Sequence, residues 1–194
     1  KEKANAITTL AQQAIALRNT AAAKNIIVHA RKQPELFNTE CVDLLVTQIG
    51  VKNDAGKLCV KALVVLLNTL RAGEPLTVID PKLAIICAHK LDTPDQQADC
   101  AQILHNLAMK MSPVFLAATF SPTCVELIAA QTGFATQTNL LCVQILSTLA
   151  QRLPAGHLES RFTIKSVGEL KSIIRFIDDE TPADYAGCCI EILR

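Results

Sequence analysis

Apolar residues along this chain recur at the step of a helix face. Between Gly56 and Leu70, the residues Leu58, Cys59, Ala62, Leu63, Leu66 and Leu70 follow one another at three- and four-residue intervals, while Lys57, Lys61, Val64 and Asn68 take the other side. A shorter stripe precedes it: Val42, Leu45, Val46 and Ile49, closed by Gly50, a residue free to adopt the left-handed conformation at a helix end. The same reading applies to Ala101–Lys110, with Ile103, Leu104, Leu107 and Met111 inward, and to Leu140–Arg152, with Leu141, Cys142, Ile145, Leu146 and Leu149 inward. Every long periodic segment carries the helical period, so the pattern predicts an all-α chain.

The pattern also repeats. Cys41–Leu70 and Cys124–Leu153 superpose without a gap at a shift of 83, matching at Cys41, Val42, Leu44, Gln48, Gly50, Leu58, Cys59, Val60, Leu63, Leu66 and Leu70. Halving that shift predicts a third copy between them. Leu83–Cys87, the turn Asp92–Gln96 and Cys100–Leu104 supply it. Pro34, Pro75, Pro113 and Pro154, separated by 41, 38 and 41 residues, give an independent phase. Proline suits the first turn of a helix and breaks its interior, so at this spacing it marks the starts of units. The expected organisation is one domain over 1–194, with a partial unit 1–33 and full units 34–74, 75–112, 113–153 and 154–194. The last unit would hold helices over Leu170–Ile177 and Gly187–Leu193 around the turn 178–183, and Gly133 would stop its helix as Gly50 does. The segments 34–40 and 113–122 are candidates for a short extra helix, with Asn38 or Thr39 and Ser121 or Thr123 as N-cap oxygens. Two amphipathic helices cannot cover both of their apolar faces, and stacking the next unit does so. The apolar ending Cys188–Leu193 lacks the polar face of a terminal repeat, and the chain reads as part of a longer protein.

Composition narrows the function. Half of the residues are hydrophobic and 19% are charged, with a net charge of +1, so no global field recruits nucleic acid or a membrane surface. The longest apolar stretch, Cys59–Leu70, is interrupted by Lys61 and Asn68 and is too short to span a bilayer. Cys41, Cys59, Cys87, Cys100, Cys124 and Cys142 all sit on apolar helix faces, where a free thiol packs as a small hydrophobe. With no Cys-x-x-Cys pair, and with Cys188 and Cys189 adjacent, zinc is not expected. Such cysteine usage implies a reducing compartment, hence a cytoplasmic protein.

A proline-led short helix, a second helix ended by Gly, a turn and a long third helix, at about 40 residues per unit, resembles the armadillo repeat and shades into the related HEAT repeat. The run Ala101-Gln-Ile-Leu-His-Asn-Leu-Ala108 is similar to the end of an armadillo third helix. The resemblance covers nearly the whole chain. It implies a right-handed α-solenoid of about four to five armadillo/HEAT-like repeats whose third helices line a concave groove. There are departures. The nuclear-import adaptors of this superfamily use a Trp and Asn ladder, whereas this chain has no Trp and carries Asn only at Asn106, with Val65 and Thr148 at the equivalent sites. The tubulin-binding TOG arrays use basic and Trp-containing turns, whereas the turns here are mixed, acidic or neutral, so tubulin is a disfavoured partner.

On that alignment the outward groove positions are Lys61, Gln102 and Gln144, then Val65, Asn106 and Thr148, then Asn68, Met109 and Gln151, with His105 alongside. A row of amides can hydrogen-bond the backbone of an extended peptide. His29, His89, His105 and His157 lie on separate units, and no nucleophile, carboxylate pair, phosphate loop or metal-spaced set accompanies them. Neither enzyme activity nor a cofactor is expected. The expected function is a scaffold for a protein or peptide partner. Its rival is a self-associating structural component of the cytoskeletal, centrosomal or ciliary kind.

Overall fold

The computed structural model describes residues 2–71, 79–133 and 136–174, together with Gly187 and Ile192. The expected helix Gly187–Leu193, the turn 178–183, Pro75, Cys188 and Cys189 lie outside or largely outside these residues. Among the described residues the chain is all-helical, with no strand. The elements are α1 (Glu2–Ala16), α2 (Thr20–Lys32), a 3-10 turn (Pro34–Leu36), α3 (Thr39–Val46), α4 (Asp54–Thr69), α5 (Lys82–Ala88), α6 (Gln97–Lys110), α7 (Pro113–Thr119), α8 (Pro122–Ala129), α9 (Gln137–Arg152), α10 (Ala155–Arg161) and α11 (Ile164–Ile174).

The helices form rows. The long helices α2, α4, α6 and α9 each pack on the next, and behind them α1 packs on α3, α5 on α8 and α8 on α11. One continuous core runs between the rows, from Ile7 to Leu170. This sandwiching corrects the helical-wheel reading at Val64, placed on the outer side by periodicity but only 9% exposed. With α2 on one flank and α6 on the other, α4 is buried on three sides and keeps only a narrow stripe in solvent. The six described cysteines are buried free thiols. Burial pushes the Cys41, Cys124 and Cys142 thiols up to about 12 and Cys59 to about 11, which leaves them protonated packing groups.

Local signals set the helix boundaries. Asn38 Oδ1 accepts from the Cys41 N–H at 2.8 Å and Ser121 Oγ from the Cys124 N–H at 3.2 Å, choosing between the candidate caps. Segment 113–122 contains the expected short helix, α7, whereas 34–40 makes only the 3-10 turn. After α3, Gly50 adopts φ +95, and a Cβ there would stand 3.0 Å from the Lys90 side chain. Gly133 does not repeat this: its backbone is not left-handed. Instead Asn139, at the start of α9, donates its Nδ2 to the Gln131 carbonyl and satisfies that turn with a side chain.

The Gly50 turn is tied to the next unit by Gln96, which is 3% exposed. The Gly50 N–H donates to Gln96 Oε1 at 2.5 Å, and Gln96 Nε2 donates to the Val51 carbonyl at 2.9 Å. One amide thus meets a donor and an acceptor of a turn 46 residues back in the chain. Replacing it by Ala leaves backbone groups unpaired in a buried site, at about 1–3 kcal/mol per group. Gln96→Ala is expected to lower the melting temperature by about 4–8 °C with helicity intact. Thermal denaturation followed by circular dichroism checks this, and an unchanged melting temperature would show that the tie is not structural.

Candidate partner-binding face

The candidate face is built from α4, α6 and α9, and the spacing of these helices is fixed at their C-terminal ends. All three end alike. The capping residues Leu70, Met111 and Leu153 are extended, with φ/ψ of −64/141, −67/149 and −66/139, and each closes its backbone N–H on the carbonyl four residues back. The last carbonyls of a helix have no partner within it and carry partial negative charge. The residue just before each cap meets that need in the preceding helix. Thr69 Oγ1 lies 3.0 Å from the Ala30 carbonyl and 2.8 Å from the Leu66 carbonyl of its own helix, and its single proton is shared between them. Lys110 Nζ donates to the carbonyls of Leu67, Asn68 and Leu70 at 2.5, 2.8 and 2.5 Å. Arg152 donates Nη1 to the Ala108 carbonyl and Nη2 to that of Met111, the latter at 2.7 Å. These clamps hold the long helices side by side and in register. Sequence reasoning missed them, although a cation in the last turn of a helix, as at Lys110 and Arg152, is a legible signal.

The stripe left in solvent is largely the expected one. Lys61, Asn68, Met109 and Gln151 are exposed, and Val65, Gln102, His105, Gln144 and Thr148 are half-buried. Asn106 departs from the expectation, since only 5% of it is exposed. Gln102, one turn earlier, lies over it and donates its Nε2 to Asn106 Oδ1 at 3.3 Å. Across the α6–α9 seam, Thr148 Oγ1 stands 3.7 Å from Met109 Sδ, while its single proton has a better acceptor in the Gln144 carbonyl at 2.8 Å. No hydrogen bond links Lys61, Val65, Asn68 or Gln151 to the other stripe side chains among the described residues.

Two polar atoms at the middle of the face stand out. His105 Nδ1 and Asn106 Nδ2 are buried and have no hydrogen-bond partner among the described residues. Most buried polar groups are paired, so adjacent exceptions on one helix mark a place where a further partner fits. Burial also lowers the His105 pKa, so the imidazole is neutral at pH 7 and can donate from one ring nitrogen while accepting at the other. Asp99, at the start of α6, has its carboxyl raised by burial, an effect that Lys61 opposes. Among the described residues no three His, Cys, Asp or Glu side chains converge as a metal site, and no helix is long and apolar enough to cross a membrane.

No family model and no curated protein matches this sequence. The fold is similar to that of crystal structures of engineered proteins from the Northeast Structural Genomics Consortium. One is 15% identical with a TM-score of 0.71, over 96% of this chain and 46% of that one. Another is 14% identical with a TM-score of 0.71, over 96% of this chain and 77% of that one. The chain therefore spans about half the length of the first. At such identities the likeness concerns the fold alone.

A histidine whose pKa is lowered by folding binds fewer protons folded than unfolded, so its contribution to stability is intact above the unfolded pKa of about 6.5 and is lost as pH falls through the lower folded value. Wild-type protein is accordingly expected to lose melting temperature between about pH 7.5 and pH 5.5, and His105→Gln to lose less over the same interval. Identical pH profiles for the two would remove His105 from that window.

Proposed function

We propose that this chain is a non-catalytic protein-interaction module, a right-handed α-solenoid of armadillo/HEAT-like units that binds a partner protein or peptide in extended form along the α4–α6–α9 face. The observation that carries this reading is the pair of unpartnered buried groups, His105 Nδ1 and Asn106 Nδ2, within an otherwise solvent-facing stripe. An extended peptide presents a backbone donor and acceptor at every residue, and a row of side-chain amides meets both. Gln102 would swing off Asn106 to do so, exchanging one internal hydrogen bond for two to the ligand. The rows of helices, and the matching caps at Leu70, Met111 and Leu153, support the repeat architecture. Six unbridged buried thiols support residence in a reducing compartment such as the cytoplasm.

A second reading has its own observation. On α7, Val114 and Phe115 are 75% and 55% exposed, adjacent large apolar residues on one short helix. Such a surface favours self-association and would make the chain a structural element of a cytoskeletal, centrosomal or ciliary assembly. Tubulin recognition through the turns draws less support, because Lys57 is held by Asp95 at 3.3 Å.

For the groove, Gln102→Ala with Gln144→Ala is expected to weaken partner binding at least about tenfold with helicity retained, as a loss of about 1.4 kcal/mol from two hydrogen bonds. Unchanged affinity in a titration would refute it. For self-association, sedimentation velocity should show a particle that grows with concentration in the wild type and stays monomeric in Val114→Ser with Phe115→Ser. A wild-type monomer at every concentration would end that reading.

A further inference from the structure

The binding face does not stop at α4. Helix α2 packs along α4 on the side opposite α6, and Thr69 Oγ1 clamps its Ala30 carbonyl. Its cap corresponds too: the Gln33 N–H closes on the His29 carbonyl as the Leu70 N–H closes on that of Leu66. Counting back from these two ends, Lys24 corresponds to Lys61, Val28 to Val65 and Arg31 to Asn68. Lys24 and Arg31 are exposed, and Val28 is 48% exposed. The α2–α4 half of the face thus carries Lys24, Arg31 and Lys61, none in an ion pair or hydrogen bond among the described residues. The stripe residues of the α6–α9 half, Gln102, Asn106, Met109, Gln144, Thr148 and Gln151, are uncharged, while Asp99 at the start of α6 is a carboxylate that feels the Lys61 charge. On a chain of net charge +1 this is a local field with a direction.

We infer that the α2–α4 half of the groove takes the carboxylates of an acidic, extended segment of a partner protein, whose uncharged continuation lies on α6 and α9. The inference rests on the groove reading above and adds the chemistry and orientation of the occupant. Packed helices lie about 8–10 Å apart and an extended chain advances about 3.3 Å per residue, so each helix meets about three residues and the charged half about six. Val28 and Val65 stand between the cations, offering an apolar contact to alternate side chains of a peptide. A nucleic acid would want stacking aromatics there, and α2 and α4 hold no Phe, Tyr or Trp. Two of the three cations are lysines, single point charges suited to single carboxylates; paired phosphate recognition favours the arginine fork.

The test is selection of a random, unphosphorylated linear-peptide phage library on the 194-residue protein, followed by titration of a synthetic winner. Enriched peptides are expected to carry Asp or Glu toward one end. The winner should lose at least about tenfold in affinity to Lys24→Glu with Lys61→Glu, at unchanged melting temperature, and should weaken as salt rises, because exposed charges are screened beyond about 10 Å at 0.1 M. If that variant loses helicity, Lys24→Gln with Lys61→Gln takes its place. Peptides without acidic bias that still depend on Gln102 and Gln144 would overturn this inference and leave the groove reading standing. Peptides indifferent to both sets of residues would overturn both. A winner that gains at least about tenfold in affinity when one of its Asp or Glu residues is replaced by phosphoserine would overturn the carboxylate assignment.

Discussion

A helix that ends inside a protein leaves its last carbonyls without partners, and here the next long helix supplies them. Lys110 and Arg152 do this with charged donors, an ammonium and a guanidinium, and the Thr69 hydroxyl reaches the Ala30 carbonyl in the same way. Apolar burial brings the long helices together but does not select their relative height, since one turn of Leu and Val packs much like the next. The clamps do select it. Once the ends are level, the stripes Lys61–Asn68, Gln102–Met109 and Gln144–Gln151 lie abreast, and a face of matched positions exists for a ligand to read.

The same constraint explains the burial pattern. Helices α4 and α6 are each flanked by two long helices and backed by the short ones, so three of their sides are apolar and only a narrow stripe remains polar. Asn106 sits at the edge of that stripe and falls under Gln102 instead of into solvent. Because the neighbour covering it is a flexible side chain and not backbone, its amide remains one rotamer change from the surface.

Much of the fold was legible in the sequence. The helical period and the near-duplicate Cys41–Leu70 and Cys124–Leu153 located α4, α6 and α9 to within a few residues. The stripe residues followed from the same period, Asn106 excepted. What escaped depends on neighbours. Val64 looked outward because a helical wheel cannot know that a helix has flanks on both sides. Gln96 looked like part of a polar turn, yet its amide is buried in the turn of the unit before it. Gly133 looked like a copy of Gly50, but Asn139 at the start of α9 closes that turn, where the first repeat has Gly56 and no such side chain. Helix α2 was not picked out by the period, and its packing on α4 is seen only in the structure.

The tie between Gln96 and the Gly50 turn has a mechanical consequence. It sits on the edge of the stack away from the C-terminal clamps, so α3–α4 and α5–α6 are riveted at two separated points. Two rivets remove the freedom to swivel that a single contact would leave. At the next junction, among the described residues, Asn139 turns back on Gln131 of the same segment, and Arg152 ties the end of α9 to the carbonyls of Ala108 and Met111 at the end of α6. Gln96 thus stiffens the α4–α6 junction from the turn end while Lys110 fixes it at the other, and a bend imposed there would have to break both.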